Sequence, residues 1–243
     1  FGSSLVGSSA ARPSPPPRCP RRARARRKRR KRAAMADETN LAGGEPEDIF
    51  GQYTSKPSLV LRCKIVLLGD SASGKTSLAQ VFEGGVQNFP KNYNMTIGIE
   101  FVVKRVNIPD TNVVVEMYIV DCGGSAICQD LLKPHWENAN AVMFVYDVSN
   151  PESFKNLAKW YDQLKKSRME TAITGVVIAS KTDLSDRAGA VTTQQGQQFS
   201  SERGLEFFEA CATKGVVDAP FHFLAEVFHE KYGVRKAELE NLH

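Results

Sequence analysis

The chain has 243 residues, 32 Lys+Arg against 27 Asp+Glu and a formal net charge of +5. That length suits one domain of ordinary size plus tails. No apolar run approaches the ~20 residues a membrane span needs. Residues 1–34 carry 12 of the basic residues and no acidic one, which leaves 20 basic against 27 acidic from Met35 onward, a body of net −7. The overall charge is therefore no argument for nucleic acid or anionic membrane, and direct nucleic-acid contact is not expected of the body.

Residues 1–34 begin with Phe1 and are nearly all Arg, Pro, Ser, Ala and Gly, with a basic run from Arg21 to Arg32. Such a segment cannot bury a core, and disorder is expected. Three readings stand: a basic arm for nucleic acid or nuclear address, a targeting segment without the usual apolar stretch, or an untranslated leader upstream of a start at Met35-Ala36. The break in composition at Met35 favours the last. Residues 35–59 are polar and acidic and read as a flexible lead-in. The folded body is expected over residues 60–238, with 239–243 as a tail.

Cys63-Lys64-Ile65-Val66-Leu67-Leu68 is an apolar run of strand length. It leads into Gly69-Asp70-Ser71-Ala72-Ser73-Gly74-Lys75-Thr76-Ser77, which fits G-x-x-x-x-G-K-[ST] without a gap. A helical pattern, Leu78 to Phe82, follows. In this order of strand, loop and helix, backbone N–H groups and a helix N-terminus cradle phosphates. The lysine, Lys75, would reach the β- and γ-phosphates, and the Thr76 hydroxyl would ligate Mg²⁺. A random chain this long would carry the four fixed positions on the order of 1% of the time, so the match is not treated as chance.

After the breakers Gly84-Gly85 and Asn88-Phe89-Pro90, Thr96 to Ile108 and Val113 to Val120 are β-rich runs around Pro109-Asp110-Thr111-Asn112, an antiparallel hairpin. The second run ends in Asp121-Cys122-Gly123-Gly124-Ser125. A bare D-x-x-G is cheap by chance. At the end of a strand downstream of a phosphate loop, however, the Asp can meet a Mg²⁺ shell and the Gly a γ-phosphate. Ile127–Trp136 reads as a helix, Ala141–Val148 as a strand, and Pro151 opens a helix with Asn150 as its cap. The stripe Phe154, Leu157, Trp160, Tyr161 and Leu164 has 3–4 spacing and reads as packing. Gly175–Ala179 is a buried strand running into Ser180-Lys181-Thr182-Asp183, a K-x-D where open α/β sheets bind ligands. Leu205 to Thr213 gives a last strand and loop, and Pro220 to about Glu238 the final helix. The expected fold is α/β, a mostly parallel six-stranded sheet with one antiparallel strand and helices on both faces.

The five cysteines, Cys19, Cys63, Cys122, Cys128 and Cys211, form no C-x-x-C, and neither a disulfide framework nor a zinc site is expected. His222 and His229 read as ordinary helix-face residues.

With the phosphate loop, Thr96, Asp121–Gly124, Ser180–Asp183 and Cys211–Thr213 in that order, the body resembles the Ras-like P-loop small GTPases over about residues 60–235. Gly69-Asp70-Ser71 and Thr96-Ile97-Gly98 make it most similar to Rab proteins. It looks like the Rab-like GTPase subunit of intraflagellar transport complex B in Val106 to Thr111, in the non-Gln residue after Asp121–Gly124, in Ala219 to His222 and in a tail without cysteine.

The resemblance implies GTP or GDP and Mg²⁺ as ligands. It implies that the loop Asp70, Ser71, Ala72, Ser73, Gly74, Lys75, Thr76, Ser77 surrounds the phosphates. Thr76 and Thr96 would ligate Mg²⁺ with Asp121 behind a water, and the Gly124 N–H would sense the γ-phosphate. Around the base, Asp183 would accept from guanine, the Lys181 stem and Phe89 would stack on its two faces, and the Ala212 N–H would meet its oxygen. Ser180 stands for the usual Asn. The loss of its amide predicts weaker nucleotide affinity, with guanine preference retained through Asp183. Cys211-Ala212-Thr213 replaces S-A-K. Ser125 stands where most such enzymes carry a water-orienting Gln, which predicts slow hydrolysis. Implied partners are a small heat-shock-like β-sandwich subunit and coiled-coil subunits, in the cytoplasm and the cilium or flagellum. No prenyl membrane anchor is expected from Glu240-Asn241-Leu242-His243.

Overall fold

The computed structural model describes residues 59–125, 129–168 and 172–241. The expectations for residues 1–34 and for most of the lead-in lie outside them, as do Cys128, the start of the helix expected at Ile127, and Leu242-His243. The elements are β1 (Leu59–Leu68), α1 (Lys75–Gly84), β2 (Ile99–Asn107), β3 (Val113–Cys122), α2 (Gln129–Glu137), β4 (Ala141–Asp147), α3 (Pro151–Ser167), β5 (Gly175–Ser180), α4 (Thr193–Ser201), β6 (Glu206–Glu209) and α5 (Asp218–Glu240).

The strands form one sheet in the order β2-β3-β1-β4-β5-β6. Every neighbouring pair is parallel except β2 and β3, which run antiparallel through the expected hairpin. β1 begins at Leu59, paired with Val113, four residues before the apolar run that announces it. The first part of the strand alternates in burial, and only the stretch from Ile65 is buried on both faces. A continuous apolar run thus marks the central part of the sheet and misses its half-exposed end.

Alternation along β1 feeds two cores. Cys63, Ile65 and Leu67 face α1 and α5, packing on Leu78, Phe82, Phe221 and Leu224. Val66 and Leu68 face the other side, with Leu132 and Trp136 of α2 and Leu157, Trp160 and Leu164 of α3. Phe82 and Phe221 stack with ring centroids 3.9 Å apart. Emptying either position by substitution to Ala would cost about 3–5 kcal/mol, since the cavity cannot collapse between two rigid helices. The α3 stripe does pack as its spacing predicts, and Asn150 caps the helix by accepting from the Glu152 N–H at 3.2 Å. Among the described residues no helix is long and apolar enough to cross a membrane. Cys63, Cys122 and Cys211 are free and buried.

One helix escapes the apolar-stripe reading. Residues Thr193–Ser201, TQQGQQFSS, have almost no apolar face, yet form α4. Its signal is the capping box: the Thr192 hydroxyl accepts from the Gln195 N–H while the Gln195 side chain accepts from the Thr192 N–H. Gly196 lets α4 sit close, because a Cβ there would lie 2.4 Å from the Phe207 ring.

Candidate nucleotide and magnesium site

The loop between β1 and α1 rises at the C-terminal end of the sheet, where the strand order places β1 beside β3 and β4. Gly74 caps α1 with φ +98°, a left-handed turn that only glycine adopts without strain. A Cβ there would also lie 2.5 Å from the Ser180 hydroxyl. Inside the loop the Lys75 ammonium donates to the Gly69 carbonyl at 2.9 Å and to the Asp70 carbonyl at 2.8 Å. Burial pushes the Lys75 pKa below its ordinary value, and the Asp121 carboxylate opposes that shift.

Three oxygen side chains converge beside it. The Thr76 hydroxyl donates to Asp121 Oδ2 at 2.5 Å and lies 2.9 Å from the Thr96 hydroxyl, which itself reaches Asp121 Oδ2 at 3.4 Å. The second carboxylate oxygen, Asp121 Oδ1, is buried with no hydrogen-bond partner among the described residues. Burial raises the Asp121 pKa, against the pull of the Thr76 hydroxyl and of Lys75. An orphaned anionic oxygen beside two hydroxyls is a hard, all-oxygen donor set of the kind Mg²⁺ takes, directly or through its waters. Thr76, Thr96 and Asp121 therefore fit the ion that the loop motif implies. Gly124 packs directly on the loop, where a Cβ would lie 2.3 Å from Ser71 N. Only glycine can approach the loop this closely.

Lys75, Thr76, Thr96 and Gly124 border a cavity of about 520 Å³, well within the range of small-molecule sites, and the buried Asp121 is bonded to the two threonine hydroxyls of its wall. Ser71, Ala72, Gly74, Lys75, Thr76, Ser77, Phe89, Thr96, Gly124 and Lys181 all line the cavity. Asp70 and Ser73 do not. The Ser73 side chain is buried, and Asp70 turns its carboxylate to α3, accepting from Trp160 Nε1 at 2.8 Å and Asn156 Nδ2 at 2.7 Å. The Asp70 carboxylate is thus occupied away from the cavity, and what Asp70 offers the loop is its backbone carbonyl.

On the base side, Ser180 is buried and its hydroxyl donates to the Ser73 carbonyl at 2.7 Å, so the strand end stays tied to the phosphate loop without an amide. Lys181 holds a left-handed backbone, φ +59°, and its ammonium donates to the Ala72 carbonyl at 2.7 Å and pairs with Asp147 Oδ2 at 2.6 Å. Asp147, at the end of β4, is a site residue that sequence reasoning missed. Only the fold brings it there, opposite Ser180 in the β4–β5 register. Asp183 accepts from the Cys211 thiol at 3.2 Å, and that sulfur lies 3.1 Å from the Thr213 hydroxyl. The Ala212 loop is closed by a two-way backbone pair between Cys211 and Val216. Asp183, Cys211, Ala212 and Thr213 thus form a knot next to Lys181 and not part of the cavity wall itself.

Comparison with known proteins agrees with this arrangement. The family model described as Ras family matches residues 64–230. The chain is 40% identical over 173 residues to the intraflagellar transport protein 27 homolog of Bos taurus, covering 71% of this chain and 92% of that protein. It is 34% identical over 185 residues to intraflagellar transport protein 27 of Chlamydomonas reinhardtii, covering 74% and 91%. It is also 34% identical over 182 residues to Ras-related protein Rab-28 of Caenorhabditis elegans, covering 73% and 71%. On the sheet order, the phosphate loop and these matches, the chain belongs to the Ras family, as a Rab-like small GTPase similar to intraflagellar transport protein 27.

Proposed function

We propose that the chain is a guanine-nucleotide switch with slow intrinsic GTP hydrolysis that serves as a subunit of the intraflagellar transport machinery, in the cytoplasm and the cilium. The observation that carries the nucleotide part is the orphaned Asp121 oxygen beside Thr76 and Thr96, next to the buried Lys75. Bound Mg²⁺ would neutralise phosphate charge there. The chain's own residues do the rest. Lys75 supplies a cation to the β- and γ-phosphates, the loop N–H groups orient them, and Gly124 places a backbone donor where the γ-phosphate ends. Asp183, steadied by Cys211, offers a carboxylate to the guanine N–H pair, a pattern adenine cannot answer. Transport membership rests on the similarity to intraflagellar transport protein 27. The partners this reading implies are a small β-sandwich subunit of heat-shock type and coiled-coil subunits.

Slow hydrolysis rests on Ser125. A Ser side chain is too short to orient an attacking water as a Gln in that place does. The test is single-turnover hydrolysis by the purified chain. We expect turnover below that of Ras-like enzymes with the Gln, and a rise in the Ser125→Gln variant. Fast turnover in the wild type would contradict the reading. Ser125 also favours a second reading, a scaffold that binds nucleotide without cycling. Partner affinity measured with GDP and with a non-hydrolysable GTP analogue separates the two. Equal affinities select the scaffold, because a ligand without differential affinity shifts no equilibrium.

A further inference from the structure

We infer that Asp70 is the anchor by which α3 holds the phosphate loop in shape, with Trp160 and Asn156 as its positioning residues. This rests on the reading that the loop binds a guanine nucleotide.

An ionised carboxylate only accepts, and both Asp70 oxygens are served from one helix. Trp160 Nε1 donates to Oδ1 at 2.8 Å and Asn156 Nδ2 to Oδ2 at 2.7 Å. The two donors are four residues apart, hence on one face of α3. The amide of Asn156 is oriented by its other end, because its Oδ1 accepts from the Lys159 ammonium at 2.8 Å. Trp160 is buried, and its ring meets Trp136 of α2 edge-on at 6.1 Å. The indole is therefore fixed before it bonds.

The backbone of the same residue does the work at the site. The Asp70 carbonyl accepts from the Lys75 ammonium at 2.8 Å and from the Ser73 N–H at 3.3 Å. Gly124 sits against this peptide, since a Cβ on it would lie 2.3 Å from the Asp70 carbonyl carbon. One residue thus links α3, the phosphate-binding ammonium and the glycine that faces the γ-phosphate. Releasing its side chain lets the loop carbonyls move, and the Lys75 ammonium moves with them.

The donor and acceptor can be exchanged, which gives a test that a mere packing role would fail. Asp70→Asn alone sets two amide nitrogens against each other, and Asn156→Asp alone sets two carboxylates together. In the double variant the new amide oxygen still takes the Trp160 N–H, and its nitrogen donates to the new carboxylate on α3. Release of fluorescently labelled GDP from the full chain is the readout. Each single variant should release GDP about 10-fold faster, the factor that one lost charge-assisted hydrogen bond corresponds to. The double variant should return to within about 3-fold of wild type, the signature of coupled neighbours. Trp160→Phe, which keeps the ring on Trp136, should match the singles. Wild-type release from the singles, or a double variant no slower than the faster single, would overturn the inference. If the wild type holds no GDP, the guanine reading fails. Amide hydrogen exchange across residues 69–77 then decides the anchor by itself: faster in the singles and restored in the double supports it, and no restoration overturns it.

Discussion

The phosphate side of the cavity and its base side are joined in different ways. On the phosphate side, Lys75, Thr76, Thr96 and Asp121 bond to one another or to the same loop, and Lys75 and Asp121 are buried. On the base side, the bonds run between separate segments and do not converge on one group: Ser180 to Ser73, Lys181 to Ala72 and Asp147, Thr182 to the Ala210 carbonyl, and Cys211 to Asp183. The phosphate side keeps the fixed residues of the loop, Thr96 and the D-x-x-G, and departs only beyond them, at Ser125. The base side changes three, at Ser180, Cys211 and Thr213, and rebuilds bonds with a hydroxyl and a thiol. An interlocked cluster leaves little freedom for substitution because each group serves two others. A single tie needs only some donor in the right place.

That contrast is breakable from its strong end downward. Lys75→Ala removes the cation that meets the phosphates, and GTP affinity should fall by at least about 100-fold, as expected when charge-assisted bonds of about 1.5–3 kcal/mol each are lost. A fluorescence titration checks it, and a loss below 10-fold would mean the loop does not hold phosphate. Next comes Thr76→Ala. It should weaken GDP binding roughly 10-fold or more, and chelating Mg²⁺ should add little further loss to the variant while weakening the wild type. On the base side, Ser180→Ala leaves the Ser73 carbonyl without its donor, and affinity should drop only about 3- to 10-fold. A larger loss would make the base side as interlocked as the other. Smallest of all, Cys211→Ser exchanges a weak thiol donor for a hydroxyl facing Asp183. Guanine affinity should rise about 2-fold, with ATP still excluded. Competition against unlabelled nucleotides measures it.

Much of this was legible in the sequence because it is local. The glycine loop, the strand before it and the helix after it are contiguous, and so is the hairpin from Thr96 to Asp121. The buried strands announce themselves by apolar runs. What was not legible is either weakly patterned or distant. The helix α4 has no apolar stripe and is signalled by its cap alone. The first residues of β1 alternate and do not read as a strand. Asp147 meets Lys181 across 34 residues, and Asn156 and Trp160 meet Asp70 across 86 and 90. Trp160 reads from its spacing as a packing residue, and it is one. Its N–H has a second use that no periodicity carries. The polar departure at Ser180 looks like a loss until the fold brings Ser73 within 2.7 Å of it.

The most direct measurement is equilibrium binding of GDP, a non-hydrolysable GTP analogue and ATP to the purified chain, with and without Mg²⁺. Binding of both guanine nucleotides that weakens on chelation, with ATP rejected, is the expected result. Equal binding of ATP would contradict the role of Asp183, and no binding of any nucleotide would contradict the site altogether.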